Sequence, residues 1–422
     1  MPQPLQDPPA RESDSELPSY RQSISDRQSD SDGAVRRRTE HSFRSIKGGR
    51  PWLTLRVYSE AESSNEEPSF LQGTAISGFV NVDLVNQAIV RSVSVSVIGE
   101  VSADAHRFIT ITRQLYVSDT SEILSPDSDA AAGPEVGSGK LVGSHTWSFT
   151  IRLPKGICIV STDGSRHTYR LPSSMDNHAR IQYQLVVRVK KGVLSPGHRL
   201  VVPFRYTPQA RPRPPSILRQ IAYLENTPLI GPEGDADGWH TFESIQIHGK
   251  LFNSRPIVAI CTLSIARPLC YTRGTVIPLA MTLQSSDEQG LDLLSSPNAP
   301  TARLTRTSIT SPSFIVPHTD VGTRLLHSEV ISTAIWWSVG APLDGQRYLQ
   351  GELAIPADAP PNCCILNFAM NYNVVLYPFR AVAFSSGQSE TAELLAQPVE
   401  IVTVDALSPR PISYVNCPPQ YS

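Results

Sequence analysis

The sequence predicts an all-β protein built as two tandem antiparallel β-sandwiches with disordered tails. Three observations carry that prediction. Apolar residues alternate with polar ones in run after run, the pattern of strands with one buried face. No stretch of the first half carries a convincing helical period. The strand pattern of the first half also returns, in the same order, about 200 positions later, which is what duplication of one supersecondary unit leaves in a sequence.

The elements follow in order. Residues 1–48 are rich in Ser, Asp, Arg and Pro with few apolar side chains. They cannot bury enough surface to offset the entropy of ordering, so a disordered tail is expected. Its basic cluster of Arg36, Arg37, Arg38, Arg44, Lys47 and Arg50 reads as a solvated tail. Contact with anionic lipid and regulation by phosphorylation are the alternatives. The first sandwich is placed at 49–207. In "AISGFVNVDL", Ile76, Val80, Val82 and Leu84 share a face with Gly78. Val93, Val95 and Val97 alternate with serines, as expected of a half-buried strand. Trp147, Phe149, Ile151 and Leu153 alternate in the same way, as do Ile181, Tyr183, Leu185, Val187 and Val189. The Ser-, Asp- and Gly-rich "SDTSEILSPDSDAAAGPEVGSGK" between them reads as a mobile loop.

A Pro-rich break at 208–238 reads as a linker, within which Ile217, Leu218, Ile221 and Leu224 fit one short amphipathic helix. The second sandwich is placed at 239–406 and a tail at 407–422. "LQGTAISGFVNVDL" around Gly73 matches "TRGTVIPLAMTLQS" around Gly274, 201 positions on. "FTIRLP" matches "GELAIP", and "YQLVVRV" from Tyr183 matches "YNVVLYP" from Tyr372, 189 positions on. The shorter last offset predicts one shorter connection in the second copy.

Composition and motifs exclude more than they assign. A net charge of −2 argues against nucleic acid as a partner. The first residues lack an apolar core of signal-peptide length, and no apolar run reaches bilayer-spanning length, so a cytoplasmic protein is expected. The six cysteines show no C-x-x-C spacing and read as reduced thiols. Adjacent Cys363 and Cys364 would face opposite sides of a strand as structural thiols, redox sensing being the alternative. "GPEVGSGKL" resembles a phosphate loop, but Pro134 replaces its first glycine and Leu141 its hydroxyl residue. "DADG" from Asp235 opens like a calcium loop, yet Gln246 stands where a bidentate Glu is needed, so a turn is expected. No histidine pair suits zinc, and no nucleophile elbow occurs. Neither a catalytic site nor a cofactor is expected. Of Trp336 and Trp337, one is expected in the core and the other at the surface.

The order of these segments resembles the arrestin-like proteins, especially the fungal ones. "GTAISGFVNVDL", "IVRSVSVSVIGE", "WSFTIRLP" and "LPSSMDNHARIQYQLVVRVKKG" are similar to successive strands of an arrestin N domain. "IQIHGKLFNSRPIVAICTLSIARPLCYTRGTVIPLAMTL" is similar to the matching C domain. The resemblance spans about residues 50 to 405. It implies two arrestin-like immunoglobulin-type β-sandwiches with no catalytic site, acting as an arrestin-related trafficking adaptor (alpha-arrestin family). Such adaptors bind plasma-membrane transporters or receptors and recruit a HECT-type ubiquitin ligase through its WW domains. Cargo is then ubiquitinated and endocytosed, and ubiquitin is often attached to the adaptor too. Recruitment from the cytoplasm to the plasma membrane or endosomes, with peripheral membrane association, is implied. The phosphate-sensing residues and buried ionic core of visual arrestins have no counterpart here.

The ligase-binding element of that family is PPxY, matched at Pro418, Pro419 and Tyr421. Two prolines favour a polyproline II backbone, and the tyrosine supplies the aromatic anchor for a WW groove. With 36 prolines and 13 tyrosines in the chain, composition alone gives about 0.1 chance matches, so a lone motif is suggestive only. A degenerate relative, "LPSY" at Leu17, Pro18 and Tyr20, offers a weaker second site that could add avidity. The alternative reading is an arrestin-fold scaffold for signalling or vesicle sorting that recruits no ligase.

Overall fold

The architecture follows from how each strand divides its two faces. The computed structural model describes residues 38–101, 106–118, 133–160, 164, 166–176, 180–192, 197–311, 315, 325–341 and 343–414. In the first half, the 27-residue strand Ala75–Val101 serves two sheets. Its first part lies between Arg50–Ser59 and Lys140–Arg152, and its second between His106–Val117 and Arg180–Lys191. Alternation makes both parts face one interior. Ile76, Val80, Val82, Val93, Val95 and Val97 are all fully buried, against Leu53, Leu55, Phe149, Tyr183, Leu185 and Phe204 from the flanking strands. Gly78 is required where the expected apolar face crosses its neighbour. A Cβ there would stand 2.0 Å from the Arg56 carbonyl oxygen.

The second half repeats this plan. In the first, one layer runs Thr39–Lys47, Arg50–Ser59, Ala75–Val101, Lys140–Arg152, with Ala75–Val101 continuing into the other layer. In the second, Ile245–Leu251, Arg255–Ala266, Val276–Gln284 and Gln346–Ala354 follow the same order. The long strand is here divided into Val276–Gln284 and Thr301–Thr310, with the helix Glu288–Leu294 between them. Details repeat too. Gly73 and Gly274 both have positive φ (89° and 76°). The following Thr74 and Thr275 hydroxyls each donate to a carbonyl three residues back, at 2.7 and 2.6 Å. The short strands before them, Ser69–Leu71 and Cys270–Thr272, each pair in parallel with the closing strand of their own half. Tyr183 donates its hydroxyl to the Pro172 carbonyl at 2.7 Å, and Tyr372 to the Pro360 carbonyl at 2.8 Å. The change of offset has a visible source. The first copy carries a hairpin, Gly156–Val160 with Arg166–Arg170, where the second passes more directly through Cys363–Ile365.

Several expectations are corrected. Residues 1–48 are not all tail, because Thr39–Lys47 is an edge strand paired with Arg50–Ser59 across the positive-φ turn Gly48–Gly49. Its inward positions are His41, bonded to the Ser59 hydroxyl, and Phe43, too few apolar groups to stand out among its charges. The predicted mobile loop includes an ordered piece. Glu135–Val136 pairs with Tyr116–Val117, and Glu135 accepts the Trp147 indole N–H at 2.6 Å. The Ser face of the Val93 strand is less open than expected, since Ser92 and Ser94 are 3% and 8% exposed. Both tryptophans are buried, because Tyr414 packs edge-on against Trp337 at 5.8 Å. Residues 407–414 are accordingly not loose, as the Ser413 hydroxyl and the Tyr414 backbone N–H donate to the buried Glu352 at 3.0 and 2.7 Å.

Cys363 and Cys364 are both half-buried, on no clean inward and outward division. Cys364 donates weakly to the Ile315 carbonyl, and burial pushes the Cys363 thiol up to about 12. The five cysteines of the described residues are thiols, not joined in disulfides. "DADG" forms a 3₁₀ turn, with Asp235 accepting the Ser216 hydroxyl at 2.5 Å. The linker helix is present as Ile217–Glu225. The halves meet through Tyr169, which donates to the Ile315 carbonyl, and through Ala210, which exchanges bonds with Thr403 and Val404.

Candidate functional site

The sequence-derived ligase motifs, Pro418, Pro419 and Tyr421 with Leu17, Pro18 and Tyr20, lie outside the described residues. The site the fold does build is on the outer face of the first sandwich, and strand register assembles it. In Arg180–Lys191 the odd positions from Ile181 to Val189 go to the core, so Gln182, Gln184, Arg188 and Lys190 point outward with Val186. Lys190 stands opposite Ser92, and Arg188 opposite Ser94 on one side and Arg199 on the other. Two arginines therefore face each other directly across an antiparallel pair, an arrangement that costs stability. All three cations are exposed. None is engaged in an ion pair among the described residues. Short serines between them leave a shallow polar floor, on which Ser96 and Thr112 share a hydrogen bond of 2.9 Å.

The same end holds a second basic group. The Lys191 ammonium lies 4.2 Å from the centre of the Trp52 ring, and His198 meets that ring edge-on at 4.6 Å. Burial lowers the pKa of Lys191, and Lys47 adds to the effect; for His198 burial acts first, then Lys191 and Lys47. Crowded cations depress each other's protonation, so an incoming anion would relieve the strain of this cluster.

At its other end the outward face opens into a cleft of about 850 Å³ between the two halves. Gln182, Gln184, Arg180 and Arg205 line it from the first half, and Arg273 and Asp358 from the second. Arg180 pairs with Asp176 at 2.8 Å and Arg205 with Glu67 at 3.2 Å, while Arg273 has no ion pair among the described residues. At the edge of the cleft the Tyr206 hydroxyl is buried without a hydrogen-bond partner, and burial pushes its pKa up to about 12. The strand face with Arg188, Lys190 and Arg199 is the cation-rich part and suits an acidic segment, while the cleft balances Arg180, Arg205 and Arg273 against Glu67, Asp176 and Asp358. Comparison of the sequence with family models and with curated proteins returns no match. Among the described residues no group of three or more His, Cys, Asp or Glu side chains could hold a metal ion. No helix of the described residues is long and apolar enough to cross a membrane.

Reading only the inward periodicity hid this site. Its signal lay in the complementary positions, Arg188-x-Lys190 and Arg199, which become neighbours only once the two strands are paired in register.

Proposed function

We propose that this protein is an arrestin-like adaptor that links plasma-membrane cargo, a transporter or receptor tail, to a WW-domain HECT-type ubiquitin ligase. The observation that carries the cargo half is the unpaired cross-strand pair Arg188 and Arg199 with Lys190, on a chain whose net charge is −2. Like charges held face to face are retained at a cost, and an acidic or phosphorylated cargo segment offsets that cost on binding. Pro203 on the neighbouring strand supplies no N–H, which favours side-chain readout on the face over addition of a strand at that point. The ligase half is supported by PPxY at Pro418, Pro419 and Tyr421, with Leu17, Pro18 and Tyr20 as a weaker site.

Two measurements test the two halves separately. Tyr421→Ala weakens capture by an immobilised WW domain, and adding Tyr20→Ala abolishes it; undiminished capture of the double variant refutes these motifs as the ligase-binding element, and no capture of the wild type leaves the scaffold reading. Arg199→Glu places an acid opposite Arg188, stabilising the fold by about 0.2–1 kcal/mol while weakening an acidic peptide at least about tenfold. Unchanged peptide affinity would remove this face as the cargo site.

A further inference from the structure

The linker helix Ile217–Glu225 is mounted inside out. Its inward arc consists of Arg219, Ala222 and Tyr223. The Arg219 guanidinium donates to the carbonyls of Arg267 and Gly238, both at 2.7 Å, and stacks 4.7 Å above the Trp239 ring. Ser216 caps the first turn and Asn226, at φ 55°, closes the last. With this arginine clamped against the second sandwich, the aliphatic arc is turned to solvent. Ile217 is 74% exposed, Leu224 71%, Ile221 42% and Leu218 40%. At 100° per residue Ile217, Ile221 and Leu224 fall within one narrow stripe, with Leu218 on its flank beside the exposed Glu225. A helix settling onto its own core would turn that stripe inward, so its outward setting calls for an apolar neighbour.

The surroundings specify which neighbour. Beside the helix lies a pocket of about 60 Å³, lined by Arg213, Arg267 and Arg410, with Asp405 as its one carboxylate. None of these three arginines is engaged in an ion pair among the described residues, and Arg211 is a further exposed cation two positions before Arg213. Guanidinium groups suit phosphate geometry, and their long stems reach from the flank of a helix to headgroup depth. The pocket adjoins the flank of the helix, sharing Arg219 and Tyr223 with it. Its three arginines are exposed as the stripe is, so apolar groups and cations both reach solvent here, as acyl chain and phosphate require. We infer that the linker helix is a docking element for an anionic phospholipid surface. Ile217, Ile221 and Leu224 enter the interface, while Arg213, Arg267 and Arg410 engage lipid phosphate. This holds whether or not a ligase or cargo is bound, because it uses none of their proposed residues.

Co-sedimentation of the full chain with vesicles tests it. The wild type is expected to pellet with phosphatidylcholine vesicles containing phosphatidylserine, and poorly with phosphatidylcholine alone. Ile217→Ser/Ile221→Ser/Leu224→Ser changes only exposed positions and should lower partitioning at least about tenfold. Arg213→Gln/Arg267→Gln/Arg410→Gln should remove the preference for anionic vesicles while leaving thermal unfolding near that of the wild type. No pelleting of the wild type, or equal pelleting of the serine variant, overturns the inference. So does a serine variant whose only change is a smaller mass in solution, since the stripe would then be a contact between copies. Binding of inorganic phosphate without vesicle binding also overturns it, by assigning the pocket to a free anion.

Discussion

The two tyrosine bonds make a graded prediction about the duplication. Removing one hydroxyl with Tyr183→Phe keeps the ring and leaves the Pro172 carbonyl, which is buried, without its donor. A buried acceptor stranded in this way costs about 1–3 kcal/mol, and the enclosed setting argues for about 2. Tyr372→Phe removes the same bond in the second copy, but the Pro360 carbonyl is only half-buried and water can replace part of the donor. About 1 kcal/mol is expected there. The sites are also neighbours, since Tyr183 and Pro360, whose carbonyl accepts from Tyr372, line the same cleft. A double-mutant cycle should therefore show coupling of about 0.5 kcal/mol or more rather than additivity. Denaturant midpoints for wild type, both single variants and the double, compared at fixed m, measure all three quantities. A neutral Tyr183→Phe, or a costlier Tyr372→Phe, would refute the argument that burial of the carbonyl sets the cost.

Further outcomes follow from the same packing. Gly78→Ala forces a methyl onto the Arg56 carbonyl in the middle of a strand pair, so soluble folded protein should be lost, as read by expression and circular dichroism. Near-wild-type stability would show that the two strands can separate locally. Alkali should unfold the protein early. Burial raises the phenols of Tyr206 and Tyr223 to about 12, so they stay protonated in the fold while the unfolded chain ionises near its ordinary value. Above pH 10 the unfolded state therefore binds fewer protons, and stability falls from pH 10 towards 12 by on the order of 2–3 kcal/mol per tyrosine. Thermal unfolding followed across that window checks this, and a flat profile would contradict it.

Much of the fold was legible because alternation is a local property. Every valine, isoleucine and tyrosine of the predicted inward faces between Val93 and Val189 is buried, and the Gly73 and Gly274 matches fall on identical turns. The tyrosine repeat was visible as letters, and its offset correctly announced one shorter connection. What alternation could not show is anything created by two segments distant in sequence. Thr39–Lys47 is a strand because Arg50–Ser59 offers it an edge, and Trp337 is buried because Tyr414 returns to cover it. Arg188 and Arg199 belong to separate strands and confront each other only through register.

The linker helix shows the division most clearly. Its sequence determined that a short amphipathic helix would form, since cap, period and apolar spacing are all local. Which face would meet the protein was decided elsewhere, by the carbonyls of Arg267 and Gly238 and the ring of Trp239, which hold Arg219 and turn the aliphatic stripe outward. Local propensity sets the conformation of a segment, whereas its orientation depends on partners that only the folded chain brings near.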